Sequence, residues 1–491
     1  MTDHASAGQL RAVKFSRLSK RALLLGLTAT QLVTIGAGAL PLVVALYTGT
    51  GALFAIPVLV VAVAAALVPV GGRQVVAWVP VALSWAWRSM TGQLHYRARI
   101  TGTTTGAGTT RAARPRPAGT LALPGDMAAL RQYVDPVTGA VLVHDPHAAT
   151  LTALLPVTHP AFVLLDPGEQ QRRVTAWGRV LATISRSGHI AALQVIERTL
   201  PGSGASLADW WRTHGTADGS FAARTYADLI ERAGPAGEQH ATTIALSLDL
   251  TAAARTVRAA GGGLRGAAAV LRQEVETLVI ALRAADLTPG DPYDAGQLAI
   301  HLRTAYDPAI GPALERHPTL GRELAAAGPI AVTEAWGNLR ADGAHHCVLW
   351  ISQWPQARTY PGFLAPLLLS SGIQRTLSVT YRPVRPDVAM RELRRRRTGH
   401  LSDANQRARM GQTTDATDQA ELSDVLQQEA DLAAGHSLLT TTGLITISAN
   451  DAERLEHDVA AVEQAAIQAG VETRRLWGQQ AQAFARSVLP G

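Results

Sequence analysis

The sequence predicts an α+β protein: an N-terminal transmembrane helical hairpin, then a cytoplasmic mixed α+β body with ferredoxin-like βαβ halves. Three observations predict it. Between Arg21 and Arg73 lie 51 residues with no Asp, Glu, Lys or Arg. Beyond residue 120, strand-like runs alternate with capped amphipathic helices. The order strand, helix, strand then recurs along the chain, as in α+β layer architectures.

The uncharged run is taken first. A membrane-spanning helix needs roughly 20 apolar residues, so the run is too long for one and fits two. Tyr47-Thr-Gly-Thr-Gly51 is small, polar and turn-prone, and divides it. Helices are expected at about Leu23–Leu46 and Ala52–Val70. A cleaved signal peptide is the competing reading, but its apolar core would be only about 7–15 residues long. A buried soluble hairpin is the other alternative. Arg11, Lys14, Arg17, Lys20 and Arg21 precede the run, and Arg73, Arg88, Arg97 and Arg99 follow it. Basic flanks stay cytoplasmic, which places both termini and the body on that side of the cell membrane. Trp78, Trp85 and Trp87 stand where amphipathic rings favour the membrane interface. Residues 73–100 therefore read as an interfacial helix.

Thr101–Pro117, rich in Gly, Thr and Pro, reads as a tether. The expected organisation is a basic N-terminus (1–21), the hairpin (22–72), the interfacial helix (73–100), a linker (101–120) and two α+β parts (121–355 and 356–491). In the first part, Leu130–Val134 and Gly139–His144 flank Asp135-Pro-Val-Thr138 as a β-hairpin. Ala149–Leu155 follows as a third strand. Asp166-Pro-Gly opens a helix to about Arg186, with Asp as N-cap and Pro in the first turn. Gly188–Ile196 and Thr242–Leu248 are strands separated by a helix over 206–234. Leu264–Leu282 carries an apolar face at Val270, Leu271, Val275, Leu278 and Leu282. Ile330–Trp336 and His345–Ile351 read as paired strands across a turn at 338–343. In the second part, strands are expected at Arg375–Tyr381, Ser437–Ser448 and Val471–Arg475, the last at a sheet edge. A helical hairpin or broken helix covers 385–434, Asn450 or Asp451 caps a helix to about Ala469, and Gln479–Ser487 is a final helical turn.

Composition bounds the chemistry. The 491 residues carry a net charge of +7, part of it the topogenic cluster at the N-terminus. The only lysines are Lys14 and Lys20, so no P-loop and no Schiff-base lysine follows position 20. The single cysteine, Cys347, forms no internal disulfide and suits a reducing compartment. His345 and Cys347 fall on one face of a strand and His346 on the other, too few ligands for a metal centre. No nucleophile elbow stands in a strand–turn–helix context. No catalytic residue, cofactor or metal is expected. Arg391, Arg394, Arg395, Arg396 and Arg397 concentrate positive charge on one segment. They are read as a solvated helix face or as a contact for an anionic partner: acidic protein, lipid or DNA.

The C-terminal stretch carries a resemblance. Gly435-His-Ser-Leu-Leu-Thr, Ile445-Thr-Ile-Ser448, a helix with Leu455 and Val459, Ala469-Gly-Val-Glu-Thr-Arg-Arg475 and Gln480-Ala-Gln-Ala-Phe-Ala-Arg-Ser-Val-Leu-Pro-Gly491 resemble the end of the N-terminal, non-motor domain of the large type IV secretion (conjugation) ATPases. The front end is similar to the two-helix inner-membrane subunit of the same machines, the PrgI/TcpE type. The resemblance covers roughly residues 10–100 by architecture and 360–491 by motif. It implies a fusion of the two as found in actinobacterial conjugative elements, with the motor encoded separately. It further implies a non-enzymatic membrane scaffold whose partners are that ATPase, other inner-membrane secretion subunits, membrane lipid and further copies of itself. A subunit of a type VII-like export system and a membrane-anchored enzyme with its site around His345 and Cys347 are the alternatives.

Overall fold

The computed structural model describes residues 29–49, 52–71, 73–98, 119–216, 218–233, 237–317, 319–355, 359–409, 416–433 and 437–489. Lys14, Arg17, Lys20 and Arg21, residues 99–118 of the Gly/Thr/Pro stretch, and Pro490-Gly491 lie outside them. Two compact units are present, Ser16–Leu94 and the remainder.

The smaller unit is helical. α1 (Ala29–Thr48) and α2 (Ala52–Leu67) pack on each other, and α3 (Val75–Met90) packs on both. Small residues let the first two backbones approach: a Cβ added to Gly38 would collide with the Cβ of Ala62. Gln31 is buried in this contact and donates from Nε2 to the Ala66 carbonyl at 3.0 Å. Among the described residues one helix, Thr30–Thr48, is long and apolar enough to cross a membrane, whereas the apolar α2 has 16 residues. The helix expected to continue to residue 100 ends at Met90, where Gly92 turns the chain at φ +71°.

The larger unit is mixed α+β and begins immediately after that turn. Its strands and helices are β1 (His95–Arg97), β2 (Arg131–Val134), β3 (Val141–Asp145), β4 (Thr150–Thr158), α4 (Pro167–Arg186), β5 (Ile190–Pro201), α5 (Ala205–His214), α6 (Phe221–Ala233) and β6 (Glu238–Asp249). Next come α7 (Ala254–Ala259), α8 (Gly263–Arg283), β7 (Thr288–Pro289), α9 (Ala295–Tyr306), α10 (Gly311–Arg316), β8 (Ala331–Glu334), β9 (Leu339–Ala341) and β10 (Ala344–Gln353). The rest is α11 (Ala365–Leu368), β11 (Gln374–Pro383), α12 (Pro386–Arg409), α13 (Ala416–Ala433), β12 (Leu439–Ala449), α14 (Ala452–Gln468), β13 (Glu472–Arg475) and α15 (Gln480–Val488). Carboxylate caps start three of the helices. Asp166 accepts from Gly168 N and Glu169 N, Asp294 forms a capping box with Gln297, and Asp451 accepts from Arg454 N.

All 13 of these strands join one sheet in the order β1-β8-β9-β10-β12-β11-β5-β6-β4-β3-β2. β13 adds to β10 beyond β9, and β7 adds to β4 beyond β3. Three sequence expectations change here. β1 belongs to the sheet, pairing antiparallel with β8, so the body begins before the Gly/Thr/Pro stretch and not after it. The stretch 338–343 contains β9, which separates β8 from β10. The helix expected over 206–234 is two, α5 and α6. The split at residue 355 also has no counterpart in a separate compact unit, because β11 and β12 lie between β10 and β5.

The topology repeats. From β4, the units β4, α4, β5, helical pair, β6, α8 and β7 follow one another; from β10 come β10, α11, β11, helical pair, β12, α14 and β13. Within each set the strands lie in the order 4-1-3-2. The second strands of the two sets, β5 and β11, pair antiparallel from Leu193↔Tyr381 to Thr199↔Arg375. The helical pairs α5/α6 and α12/α13, each leaving the end of one of these strands, therefore stand at opposite ends of the sheet.

Strand alternation divides the core. Leu155, Ile244, Val195 and Val379 oppose one another in turn across β4, β6, β5 and β11, which carries one apolar face through both sets. α4 and α8 cover it over the first set, and α11 and α14 over the second. The opposite face is covered by α9, α15 and the segment around Leu121, Leu123, Met127 and Leu130.

Candidate membrane surface and basic helix

The helical unit turns its large apolar side chains outward. Leu40, Val43 and Leu46 of α1 are 60–69% exposed, and Leu53, Phe54 and Val61 of α2 are 67–82% exposed. In water such a contiguous apolar surface is unfavourable, and patches of this kind mark protein or membrane contacts. On α3 the tryptophans divide between two faces. Trp78 and Trp85 are half-buried on the side of buried Val81, and the Arg73 guanidinium lies 5.7 Å from the Trp78 ring centroid. Trp87 belongs to the outer stripe Val79, Leu83, Trp87, Met90, at helical spacing, with Trp87 66% exposed. The structure thus brings together Arg73 and Trp78 and separates Trp87 from them. Lys14, Arg17, Lys20 and Arg21 fall outside the described residues.

The arginine run lies on α12. Ala389 and Leu393 are buried, and the helix packs against α13. Asp387 pairs with both Arg385 and Arg391, at 3.3 and 3.2 Å. Arg396 pairs with Glu392 at 3.2 Å, and Arg397 reaches across to Glu429 of α13 at 2.9 Å. Arg394 and Arg395 are exposed, and neither forms an ion pair among the described residues. The five candidates are therefore not equivalent: Arg397 bridges the helical pair, while Arg394 and Arg395 are exposed with no ion-pair partner among the described residues.

The sites weighed on β10 resolve differently. Cys347 is fully buried, and burial pushes its thiol up to about 12, so it is neither a thiolate nucleophile nor a ready metal ligand at neutral pH. His346 points to the other face against Phe484, with ring centroids 4.8 Å apart. Its Nε2–H donates to the Tyr306 carbonyl at 2.9 Å, so Nδ1 accepts from Ser448 Oγ at 2.8 Å. This fixes a neutral tautomer, and burial lowers its pKa to about 4. Among the described residues no cluster of His, Cys, Asp and Glu suits a metal ion.

A buried polar layer escaped the sequence reading. Beneath α9 and α15, Gln194 donates to Ser378 Oγ at 2.5 Å and to the Arg486 carbonyl at 2.8 Å. Thr446 bonds Ser487 at 2.8 Å, and His301 Nε2 donates to the Val488 carbonyl at 3.1 Å. Arg198 is wholly buried and donates to the His301 carbonyl and Thr304 Oγ1 at 3.2 and 3.0 Å. Burial lowers its pKa to about 10, so it stays a cation, facing the carbonyl-rich end of α9. Gln480 completes the layer: its side-chain oxygen accepts from Val348 N at 2.7 Å, in the gap that β9 and β13 leave along β10. Polar residues alternating with apolar ones at Gln194, Arg198, Ser378 and Thr446 read from sequence as solvent-facing; only the covering helices show otherwise. No family model and no curated protein matches the chain in sequence comparison.

Proposed function

We propose that the chain is a non-enzymatic inner-membrane scaffold of a conjugation or type IV secretion-like machine. Its body docks a separately encoded ATPase at the cytoplasmic face. The observation that carries the reading is the outward apolar surface of the helical unit, joined to a large α+β body through Thr91–Leu94. In this reading α1 and α2 both cross the bilayer as a hairpin, and the shorter α2, about 24 Å long at 1.5 Å per residue, is completed by Val68–Val70 and local bilayer adjustment. Lys14, Arg17, Lys20, Arg21 and Arg73 hold both flanks in the cytoplasm.

The body supports the reading in two ways. The 4-1-3-2 strand order of each set is that of a ferredoxin-like unit, in keeping with the βαβ halves that the order of strands and helices in the sequence predicts. The C-terminal motif quoted above falls on β12, α14, β13 and α15, and both of its strands pair with β10, one on each side. No lysine follows position 20 in these 491 residues, so they hold no P-loop, and in this reading the docked ATPase supplies the hydrolysis. Neighbouring copies and other inner-membrane subunits complete the assembly.

Affinity purification of the detergent-extracted protein from its host, with mass spectrometry of what accompanies it, tests the proposal. A P-loop ATPase lacking its usual N-terminal domain is the expected partner. Recovery of the protein alone, or with metabolic enzymes, would overturn it.

A further inference from the structure

The exposed side of α12 has a composition of its own. At roughly 100° per residue, Val388, Arg391, Arg394, Arg395, Thr398 and Leu401 fall within an arc of about 140°. Ala389 and Leu393 lie on the opposite side, buried. Val388 and Leu401, at the two margins, are 42% and 48% exposed. Between them stand the three arginines, and Asp387 is the acidic group on this side, already shared by Arg385 and Arg391. The surface is thus a basic centre with an apolar residue at either margin.

We propose that this face of α12 rests on the anionic surface of a lipid bilayer. The inference rests on the membrane-anchor reading above and adds a second, peripheral contact made by the body. Guanidinium groups match phosphodiester oxygens with paired N–H donors and are weakly hydrated, so they leave water readily. Apolar side chains flanking them enter the acyl boundary, which is the composition of interfacial helices. A nucleic-acid strand would satisfy the arginines but leave Val388 and Leu401 in water, and the arc holds no aromatic side chain on which a base could stack. A bilayer satisfies both kinds of residue. Each arginine near an anionic surface is worth about fivefold in partitioning.

The test uses the full chain carrying Thr398→Cys, labelled with an environment-sensitive fluorophore; Cys347 is the sole native cysteine and is buried. The protein is reconstituted into nanodiscs of phosphatidylcholine alone, or with about one-third phosphatidylglycerol. The expected result is a blue-shifted, brighter label on the anionic discs only, reversed by about 0.5 M NaCl. Replacing both Arg394→Gln and Arg395→Gln should lower the bound-to-free ratio about 25-fold. An unchanged melting curve shows that this exposed pair does not maintain the fold. Equal spectra on both discs would overturn the lipid contact while leaving the anchor intact. Failure of the protein to enter discs at all would overturn both. A label shift produced by duplex DNA in place of anionic discs would reassign the face to nucleic acid.

Discussion

Replacing Gly478 by alanine should open the junction between β13 and α15. Two Trp-Gly dipeptides clasp each other there. A Cβ on Gly337 would lie 2.5 Å from Trp477, and a Cβ on Gly478 would lie 2.5 Å from Trp336. The Gly478 amide also donates to the Trp336 carbonyl at 2.6 Å, and the Arg475 guanidinium sits 4.6 Å from the Trp477 ring centroid while donating to the Gly337 carbonyl. Gly478 has φ +67°, whereas Gly337 is not in the left-handed region. Alanine at 478 therefore meets two costs: about 1–2 kcal/mol for the left-handed backbone and about 1–3 kcal/mol for overpacking. The sum is about 2–5 kcal/mol, against about 1–3 for Gly337→Ala. Native-state hydrogen exchange of residues 476–488 in the full chain reads the difference locally. Exchange should rise about thirtyfold or more in Gly478→Ala. Adding Trp336→Ala removes the overpacking but not the backbone strain, so a double-mutant cycle should return a coupling of about 1–3 kcal/mol. Protection within about 0.5 kcal/mol of the parent protein, or a larger loss in Gly337→Ala than in Gly478→Ala, would refute the clasp.

Phe484→Ala should destabilise the body by about 3–5 kcal/mol in thermal or urea unfolding, since the ring is fully buried against Tyr306 and His346. Stability should also fall as pH drops. His346 is held neutral with a folded-state pKa of about 4, below the unfolded value near 6.5, so the unfolded chain takes up the proton first. The His346 share of the loss runs from about pH 6.5 down to about pH 4 and amounts to about 3 kcal/mol; His346→Gln should remove that share and lessen the slope there. His301, lowered to about 3 by burial, adds a decline of the same sign over the same range and carries it on to about pH 3. Cys347 should resist a thiol reagent in the native protein and react only at the rate of unfolding, measured by absorbance of the released thiolate.

Much of this architecture was legible because the elements carry strong local signals. The Asp166 and Asp451 caps, the 3.6-residue period of α8 and the Asp135 hairpin turn each act within a few residues of sequence. The Asp135 turn holds because its carboxylate takes Thr138 Oγ1 at 2.7 Å and both arms of Arg272 at 3.1 and 3.2 Å. What sequence hid is short or long-range. β1 and β9 have three residues each, too few for alternation to show, and β1 follows directly on an apolar helix. The expected helix over 206–234 ends at His214, with Gly215 as its C-cap, and a second helix starts at Phe221. α15 looks like a polar terminal turn because its buried face includes Gln480 and Ser487, whose partners lie on β10 and β12. At the arginine run, sequence located the charge; it could not tell Arg397, bound to Glu429 on a neighbouring helix, from Arg394 and Arg395.

The position of β1 has a mechanical consequence. While its three residues remain paired with β8, helix α3 is tied to the sheet through residues 91–94. A three-residue strand, secured further by the Tyr96 hydroxyl donating to the Ala122 carbonyl at 2.9 Å, thus works as a clip.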